Sequence, residues 1–200
     1  MARTTVHLVR HGEVYNPKKI LYGRMPGYHL SSRGNSMAVA TSTFFRGRDV
    51  TYLAASPLER AQETARPIAE VTGCEVHTRE DILEAGNTFE GLRTKGWRSQ
   101  LINPIRWRHM TNPLEPSWGE PYQEILERMW GAVEDAREKA EGHEAVLVSH
   151  QLPIVMVQRH VQGKPLAHAS RNCDLASVTS LVLDGGSVVD WSYHTPAQHI

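Results

Sequence analysis

At three places in the sequence, side chains that could bind phosphate lie at or shortly after the end of a short apolar run. Arg10 and His11 follow the first run, and Gly12 then allows the backbone to turn sharply. His150 ends another run, and Arg60 lies in the first turn of a helix predicted after a third. Ligands bind at the carboxyl ends of the strands in open α/β sheets, so these four side chains are expected to meet at one edge.

Together, these side chains suit phosphoryl transfer through a phosphohistidine. A neutral imidazole such as that of His11 is a competent nucleophile for phosphorus when a hydrogen bond holds its other nitrogen. Arg10 and Arg60 would grip the phosphoryl oxygens with paired, charge-assisted hydrogen bonds. His150 would bind another oxygen, and the helix that follows it would add backbone donors at its N-terminus. Cationic side chains that stabilise the charge in this way make a metal ion unnecessary.

The leaving group needs a proton, and Glu84 is the candidate donor. It lies in the loop after the third predicted strand. A carboxyl group that is partly desolvated beside a phosphate holds its proton to a higher pH than usual, which suits a general acid. The same group would then act as general base for the water that cleaves the phosphohistidine.

Short apolar runs alternate with helical patterns along most of the chain. The alternation predicts a single domain, 1–200, folded as a three-layer α/β/α sandwich with a mostly parallel central sheet and a closing hairpin. The predicted strands are 6–9, 52–55, 74–78, 145–149, 176–183 and 188–193, and the predicted helices are 30–45, one from 57 onward, 121–142 and 152–161.

Two local patterns refine this prediction. Ser56 followed by Pro57 and Glu59 is typical of a helix start, with Ser56 as N-cap and Glu59 closing a capping box. At about 88–118 the periodicity fails, and this stretch is interpreted as a cap-like excursion over one end of the sheet. Its basic, tryptophan-rich part, 92–109, has two interpretations: a solvated basic loop with tryptophans packed on the core, or a lid that selects a substrate with a second anionic group, a sugar or an aromatic ring.

The composition limits the partners. Lysine plus arginine and aspartate plus glutamate each number 22, so the formal net charge of zero offers no field to nucleic acid or an anionic membrane. Cys74 and Cys173 are interpreted as reduced thiols, and the N-terminus has no apolar signal segment. We therefore expect a cytoplasmic protein without a nucleic-acid or membrane partner. Tryptophan and methionine on the long predicted helix leave a homodimer open.

Two other classes of protein are open from the sequence. A zinc hydrolase is suggested by the count of 11 histidines, with His143, His150, His160 and His168 as candidates, although their spacing is not a recognised ligand pattern. A fold of this class can also persist as a binding module without turnover. Activity that survives a chelator would separate the phosphohistidine hypothesis from the metal hypothesis.

The set of motifs resembles the histidine phosphatase superfamily, in the branch that includes cofactor-dependent phosphoglycerate mutases and many small phosphatases. The matching segments are Leu-Val-Arg-His-Gly-Glu at 8–13, Leu-Ser-Ser-Arg-Gly at 30–34, Ser-Pro-Leu-Glu-Arg-Ala-Gln-Glu-Thr-Ala at 56–65, Leu-Glu at 83–84 with Phe-Glu-Gly at 89–91, Gly-Glu at 119–120 and Val-Leu-Val-Ser-His at 146–150. The resemblance implies the phosphoglycerate mutase-like fold. It also implies roles for five residues, namely His11 as phosphate acceptor, Arg10, Arg60 and His150 as phosphate ligands and Glu84 as proton donor.

The sequence departs from the family pattern at three points. Val14 stands where the family usually has Thr or Ser, which removes a hydroxyl from the pocket. Asn16 comes one residue earlier than the family's asparagine, and Gln151 replaces a glycine. Asn16 and Gln151 are expected to contact the phosphate or the substrate.

The expected activity is metal-independent hydrolysis of a small phosphorylated metabolite through a phosphohistidine on His11, with no cofactor. Phosphoglycerate mutase-type transfer is the alternative, which requires a retained bisphosphate. Related mutases carry a longer insertion and further basic residues for the second charged group. A non-catalytic module that binds a phospho-ligand is a second alternative, and the presence of all five core residues disfavours it.

Overall fold

The computed structural model describes residues 2–92, 119–167 and 172–200. The elements, in chain order, are β1 (Thr4–Arg10), α1 (Ser32–Phe44), β2 (Val50–Ala55), α2 (Glu59–Thr72), β3 (Val76–Thr78), a single 3₁₀ turn (Glu80–Ile82), α3 (Tyr122–Lys139), β4 (Glu144–Ser149), α4 (Gln151–Val161), β5 (Val178–Asp184) and β6 (Ser187–His194). In the described ranges they form one six-stranded sheet in the order β3-β2-β4-β1-β5-β6. Strands β3, β2, β4 and β1 are parallel, and β5 and β6 close the sheet as an antiparallel hairpin.

Alternate residues of the strands enter two separate cores, which produces the three layers. On β1, Leu8 packs in the core under α3 and α4, whereas Val9 packs in the core with α2. On β4, Leu147 and Val148 divide in the same way. A strand that is apolar on both faces is typical of a parallel sheet covered by helices, so the predicted α/β/α sandwich is confirmed.

The register of the sheet brings three strand ends level with one another. Arg10, the last residue of β1, pairs with Ser149, the last residue of β4. Ala55, the last residue of β2, pairs with Val148. The residues that follow these three strands therefore emerge side by side at the carboxyl edge, where the sequence predicted that the site would lie.

Every predicted strand and helix is present, with some ends shifted, but one local prediction is wrong. Helix α2 begins at Glu59 with Leu58 as N-cap and has no side-chain cap, so Ser56 does not cap it. The Ser56 hydroxyl instead contacts the ring of His150, 2.8 Å away. The predicted excursion lies outside the described residues from 93 to 118.

The start of α1 is pressed against the turn after β1, and two glycines permit this contact. A Cβ atom on Gly12 would lie 2.6 Å from the carbonyl oxygen of Gly34, and one on Gly34 would lie 2.0 Å from that of Glu13. Ser31 caps the helix by accepting from the N–H of Gly34. Among the residues that the structure describes, none of the helices has the length and hydropathy needed to cross a bilayer.

Candidate active site

A cavity of about 990 Å³ opens at the carboxyl edge of the sheet. Five of the seven predicted site residues line it, namely Arg10, His11, Asn16, Glu84 and Gln151. The other two, Arg60 and His150, are fully buried beside it. The ring centroid of His150 lies 5.2 Å from that of His11, and the Arg60 guanidinium lies 4.8 Å from the ring of Tyr22, which also lines the cavity. The structure thus brings all seven residues to one place.

His11 is held in the tautomer that leaves Nε2 free of hydrogen. Its Nδ1 lies 2.8 Å from the carbonyl oxygen of Gly12, and since a carbonyl only accepts, Nδ1 carries the proton. Burial, followed by the charges of Arg60 and Arg10, holds the pKa of His11 well below its usual range. The ring is therefore neutral near pH 7, with a lone pair on Nε2 that suits a nucleophile.

Two arginines beside His11 are each anchored by one nitrogen and leave other nitrogens without a partner. Arg60 donates from Nη2 to the carbonyl oxygen of Gly23 at 2.7 Å, and Arg10 donates from Nη1 to that of Cys173 at 2.5 Å. Among the described residues, Nε and Nη1 of Arg60 and Nε of Arg10 are buried without a hydrogen-bond partner. Buried donors are normally satisfied, so three that are not indicate an absent acceptor.

His150 adds a further unpaired nitrogen to this group. Its Nε2 lies 2.8 Å from the Ser56 hydroxyl, while its buried Nδ1 has no hydrogen-bond partner among the described residues. Burial lowers the pKa of His150 well below its usual range, with His11 and Arg60 as further causes. If the Ser56 hydroxyl donates to Nε2, then Nδ1–H is a donor available to a bound anion.

Glu84 reaches the cavity from the loop after the 3₁₀ turn. Its Oε1 accepts from the backbone N–H of Ala85 at 2.9 Å, and the side chain is half-buried. The carbonyl oxygen of Glu84 accepts from Nε of Arg24 at 2.6 Å. A carboxyl group therefore shares the cavity with His11, as the sequence predicted.

Asn16, Gln151 and Val14 lie at the rim of the cavity. The amide of Asn16 closes its own loop, because it donates to the carbonyl oxygen of Ile20 at 2.8 Å and accepts from the N–H of Ile20 at 3.2 Å. Gln151 donates to the carbonyl oxygen of Cys173 at 3.3 Å. Contact of Asn16 and Gln151 with a ligand stays a prediction. Val14 also lines the cavity, and its side chain brings no hydroxyl to it.

The polar residues around Arg60 on α2 tie other segments of the site together. Four of them accept from or donate to the backbone of a neighbouring segment: Glu59 accepts from the N–H of Gly27, Gln62 donates to the carbonyl oxygen of Ser56, Glu63 accepts from the N–H of Leu30, and Thr64 accepts from the N–H of Gly12. The first turns of α2 therefore fix the turn after β1, the end of β2 and the loop 13–29 in relation to Arg60.

Sequence reasoning missed four residues that shape this site. Ser56 has a signal that could have identified it, because it directly follows a strand whose end lies at the site. Tyr22, Arg24 and Glu120 have weaker signals. Tyr22 and Arg24 lie in a loop without periodicity, and Glu120 was noted as part of a motif without a role. Their positions depend on contacts between distant segments, which periodicity does not report.

Three histidines of the zinc alternative lie in the described ranges, and these three do not converge. His143 precedes β4 and lies 2.6 Å from a carboxylate oxygen of Asp49, whereas His150 follows β4 at its other end. His160 packs edge-on against Trp130. His168 is outside the described residues. Within the described ranges, no three His, Cys, Asp or Glu side chains are grouped closely enough to hold a metal ion.

Comparison with known proteins identifies relatives over almost the whole chain. An uncharacterised Mycobacterium tuberculosis protein, Rv0525, is 49% identical over 196 residues, covering 97% of each chain. A probable phosphoglycerate mutase of Escherichia coli, GpmB, is 30% identical over 92% of this chain and 90% of its own.

The solved structure of a mycobacterial glucosyl-3-phosphoglycerate phosphatase, Rv2419c, has the same fold, with a TM-score of 0.70 and 21% identity over 96% of this chain and 98% of that one. The model of the histidine phosphatase superfamily (branch 1) matches residues 6–193. The chain therefore belongs to the histidine phosphatase superfamily.

Proposed function

We propose that the protein is a phosphatase that hydrolyses a small phosphomonoester through a phosphohistidine on His11, without a metal ion. One observation carries the proposal: four buried nitrogens, on Arg10, Arg60 and His150, have no partner among the described residues. They belong to side chains beside His11, which is 5.2 Å from His150 between ring centroids and feels the charges of Arg60 and Arg10. A phosphoryl group is a dianion with several acceptor oxygens, so it supplies the acceptors that these donors lack.

The chemistry follows in two steps. Nε2 of His11 attacks phosphorus, the bond from phosphorus to the ester oxygen breaks, and Glu84 gives its proton to the leaving oxygen. Water then attacks the phosphohistidine, Glu84 takes a proton from that water, and the bond from phosphorus to Nε2 breaks. Arg10, Arg60 and His150 stabilise the charge on the phosphoryl oxygens in both steps. The protein returns to its starting state with one phosphate and one alcohol released.

Phosphoglycerate mutase-type transfer is the second candidate, and the name of the Escherichia coli relative favours it. A mutase keeps a bisphosphate in place and therefore needs cations for a second charged group. Among the described residues that line the cavity, Lys19 is the cation besides Arg10. Hydrolysis needs no such second set of cations, so we place it first.

The test is phosphate release from a panel of small phosphomonoesters in the presence of a chelator. We expect turnover with chelator, a labelled phosphoenzyme that is stable to alkali and labile to acid, and loss of about 10⁴-fold or more in kcat for His11→Ala. A matched control is His7→Gln, which alters a second buried histidine, within β1, and should keep the activity. Wild-type activity in His11→Ala would refute the proposal, and conversion of 3-phosphoglycerate with a bisphosphate primer would favour the mutase.

A further inference from the structure

The chain on both sides of Glu84 is held by side chains from three other segments. Every carbonyl oxygen from 81 to 84 accepts a hydrogen bond from a side chain, as follows: Arg128 Nη1 donates to Asp81 at 2.8 Å and to Leu83 at 2.7 Å, the Ser149 hydroxyl donates to Ile82 at 2.7 Å, and Arg24 Nε donates to Glu84 at 2.6 Å. Arg128 lies on α3, Arg24 lies in the loop after β1, and neither lines the cavity.

Glu120 joins the two arginines to each other. Its Oε2 accepts from Nη2 of Arg24 at 2.7 Å and from Nη2 of Arg128 at 3.1 Å, and its Oε1 accepts from Nε of Arg128 at 2.7 Å. Oε2 also lies 3.3 Å from the N–H of Gly86. Burial alone would raise the pKa of Glu120, but hydrogen bonds from Arg128 and the charges of both arginines hold it below its usual range. Glu120 is therefore a carboxylate near pH 7.

We propose that Glu120 is a positioning residue for the proton donor of the reaction. The inference rests on the proposed function, in which Glu84 is that donor. By bridging Arg24 and Arg128, Glu120 fixes the backbone before and after Glu84 and so sets where the Glu84 carboxyl group lies. Both oxygens of Glu120 accept from arginines, so the carboxylate that borders the cavity is already paired with donors of the protein.

The physical reason is the charge that Glu120 supplies between two guanidinium groups. Without it, Arg24 and Arg128 would face each other with like charge and without their shared acceptor, so they would turn away from the carbonyl groups of the Glu84 segment. Proton transfer needs the donor within hydrogen-bond distance of the leaving oxygen. A displacement of about 1 Å at a reacting group costs up to roughly 10²-fold in rate.

The experiment compares two substrates that differ in their need for a proton. The leaving group of an aryl phosphate such as 4-nitrophenyl phosphate departs as a stable anion, whereas that of an alkyl phosphate needs the proton. We expect Glu120→Gln to lower kcat/KM for the alkyl phosphate about tenfold or more and to leave that for the aryl phosphate nearly unchanged. Glu84→Gln is the reference and should have the same selectivity with a larger loss, since kcat/KM reports the first phosphoryl transfer.

Two further variants separate positioning from general damage. Glu134→Gln removes a carboxylate that pairs with Arg137 on the same helix, and it should change neither rate constant. Arg24→Gln removes the direct hydrogen bond to the Glu84 carbonyl at a half-exposed position, and it should reproduce the selective loss even if Glu120→Gln folds poorly.

Equal losses on both substrates, or no loss, in folded Glu120→Gln and in Arg24→Gln would overturn the inference. Glu84→Gln without selectivity would overturn both the role of Glu84 and this inference. In that case His11→Ala would still report on the phosphohistidine by itself, so failure of the inference and failure of the proposed function are distinguishable.

Discussion

His7 on β1 and His11 in the turn after it are about equally buried, but they differ in the hydrogen-bond partners around them. His7 and His11 are exposed by 1% and 2%. At His7, both ring nitrogens have protein partners: Nε2 lies 2.9 Å from a carboxylate oxygen of Glu144, and Nδ1 lies 2.8 Å from the Ser180 hydroxyl. A carboxylate only accepts, so Nε2 donates to Glu144 and the neutral ring accepts from Ser180 at Nδ1.

We call these residues, with Arg48, the His7 site, and we call His11 with Arg10, Arg60, Glu84 and His150 the His11 site. Arg48 donates from Nε to the carbonyl oxygen of Phe44 at 2.9 Å and pairs with Glu144 at 3.4 Å, so the His7 site satisfies its own polar groups. The His11 site leaves four buried nitrogens without partners among the described residues. An unpaired buried donor costs about 1–3 kcal/mol. The unpaired nitrogens of the His11 site therefore lower the stability of the folded chain, and a bound anion would remove this cost.

The comparison predicts that arginine geometry matters at only one of the two sites. We expect Arg60→Lys to lower kcat/KM for phosphomonoesters by roughly 10²- to 10³-fold, because lysine keeps the charge but loses the fork of donors around the oxyanion. Arg48→Lys at the His7 site should leave kcat/KM unchanged. Steady-state kinetics of both variants make the measurement, and similar effects on the two variants would contradict the distinction.

The unpaired donors also predict stabilisation by inorganic phosphate. At a phosphate concentration one hundred times Kd, binding to the folded state adds about 2.7 kcal/mol, which is a rise in Tm of about 5 to 10 °C for a chain of this length. Arg60→Lys should lose most of this rise, and Arg48→Lys should keep it. Thermal unfolding with potassium chloride of equal ionic strength corrects for general salt effects, and an equal rise in both variants would place the bound phosphate elsewhere.

The sequence was sufficient for the parts of the molecule that depend on local pattern. Strands that are apolar on both faces and helices with one apolar face predicted the three layers. The ends of the strands predicted that Arg10, Arg60 and His150 would lie close together. The motif matches predicted Glu84 as the proton donor; its role stays a prediction, and the residue does line the cavity. These features could be predicted because each depends on a pattern within a few neighbouring residues.

What the sequence did not predict depends on contacts between distant residues. Ser56 resembles a helix cap, but its hydroxyl contacts a ring 94 residues away. The hydrogen bond of Arg24 to the Glu84 carbonyl spans 60 residues, and its pair with Glu120 spans 96. His7 lies between apolar residues within β1, whereas His11 stands between Arg10 and Gly12 after its end, so the sequence distinguishes the two histidines but does not show the partners of His7.

The smallest predicted effect concerns the pH dependence of stability. Burial lowers the pKa of His7, even though Glu144 beside it acts to raise it, and burial also lowers the pKa values of His11 and His150. Below pH about 6.5 the unfolded chain takes up protons at these rings before the folded chain does. The free energy of unfolding is therefore unaffected by these groups above that pH and falls as the pH drops below it.

Replacing His7 by glutamine removes one of these three contributions. We expect denaturant unfolding between pH 7.5 and 5.5 to give a shallower loss of stability in His7→Gln than in the wild type, by at most about 1.4 kcal/mol per pH unit. We expect phosphate to bind at the His11 site and therefore to leave this difference in slope unchanged. An equal slope would mean that His7 takes up protons over the same pH range in the folded and unfolded chains, whereas a steeper loss in His7→Gln would mean that His7 is protonated in the folded chain at these pH values. Its bond with Glu144 is then an ion pair, and the two buried histidines differ in charge as well as in their partners.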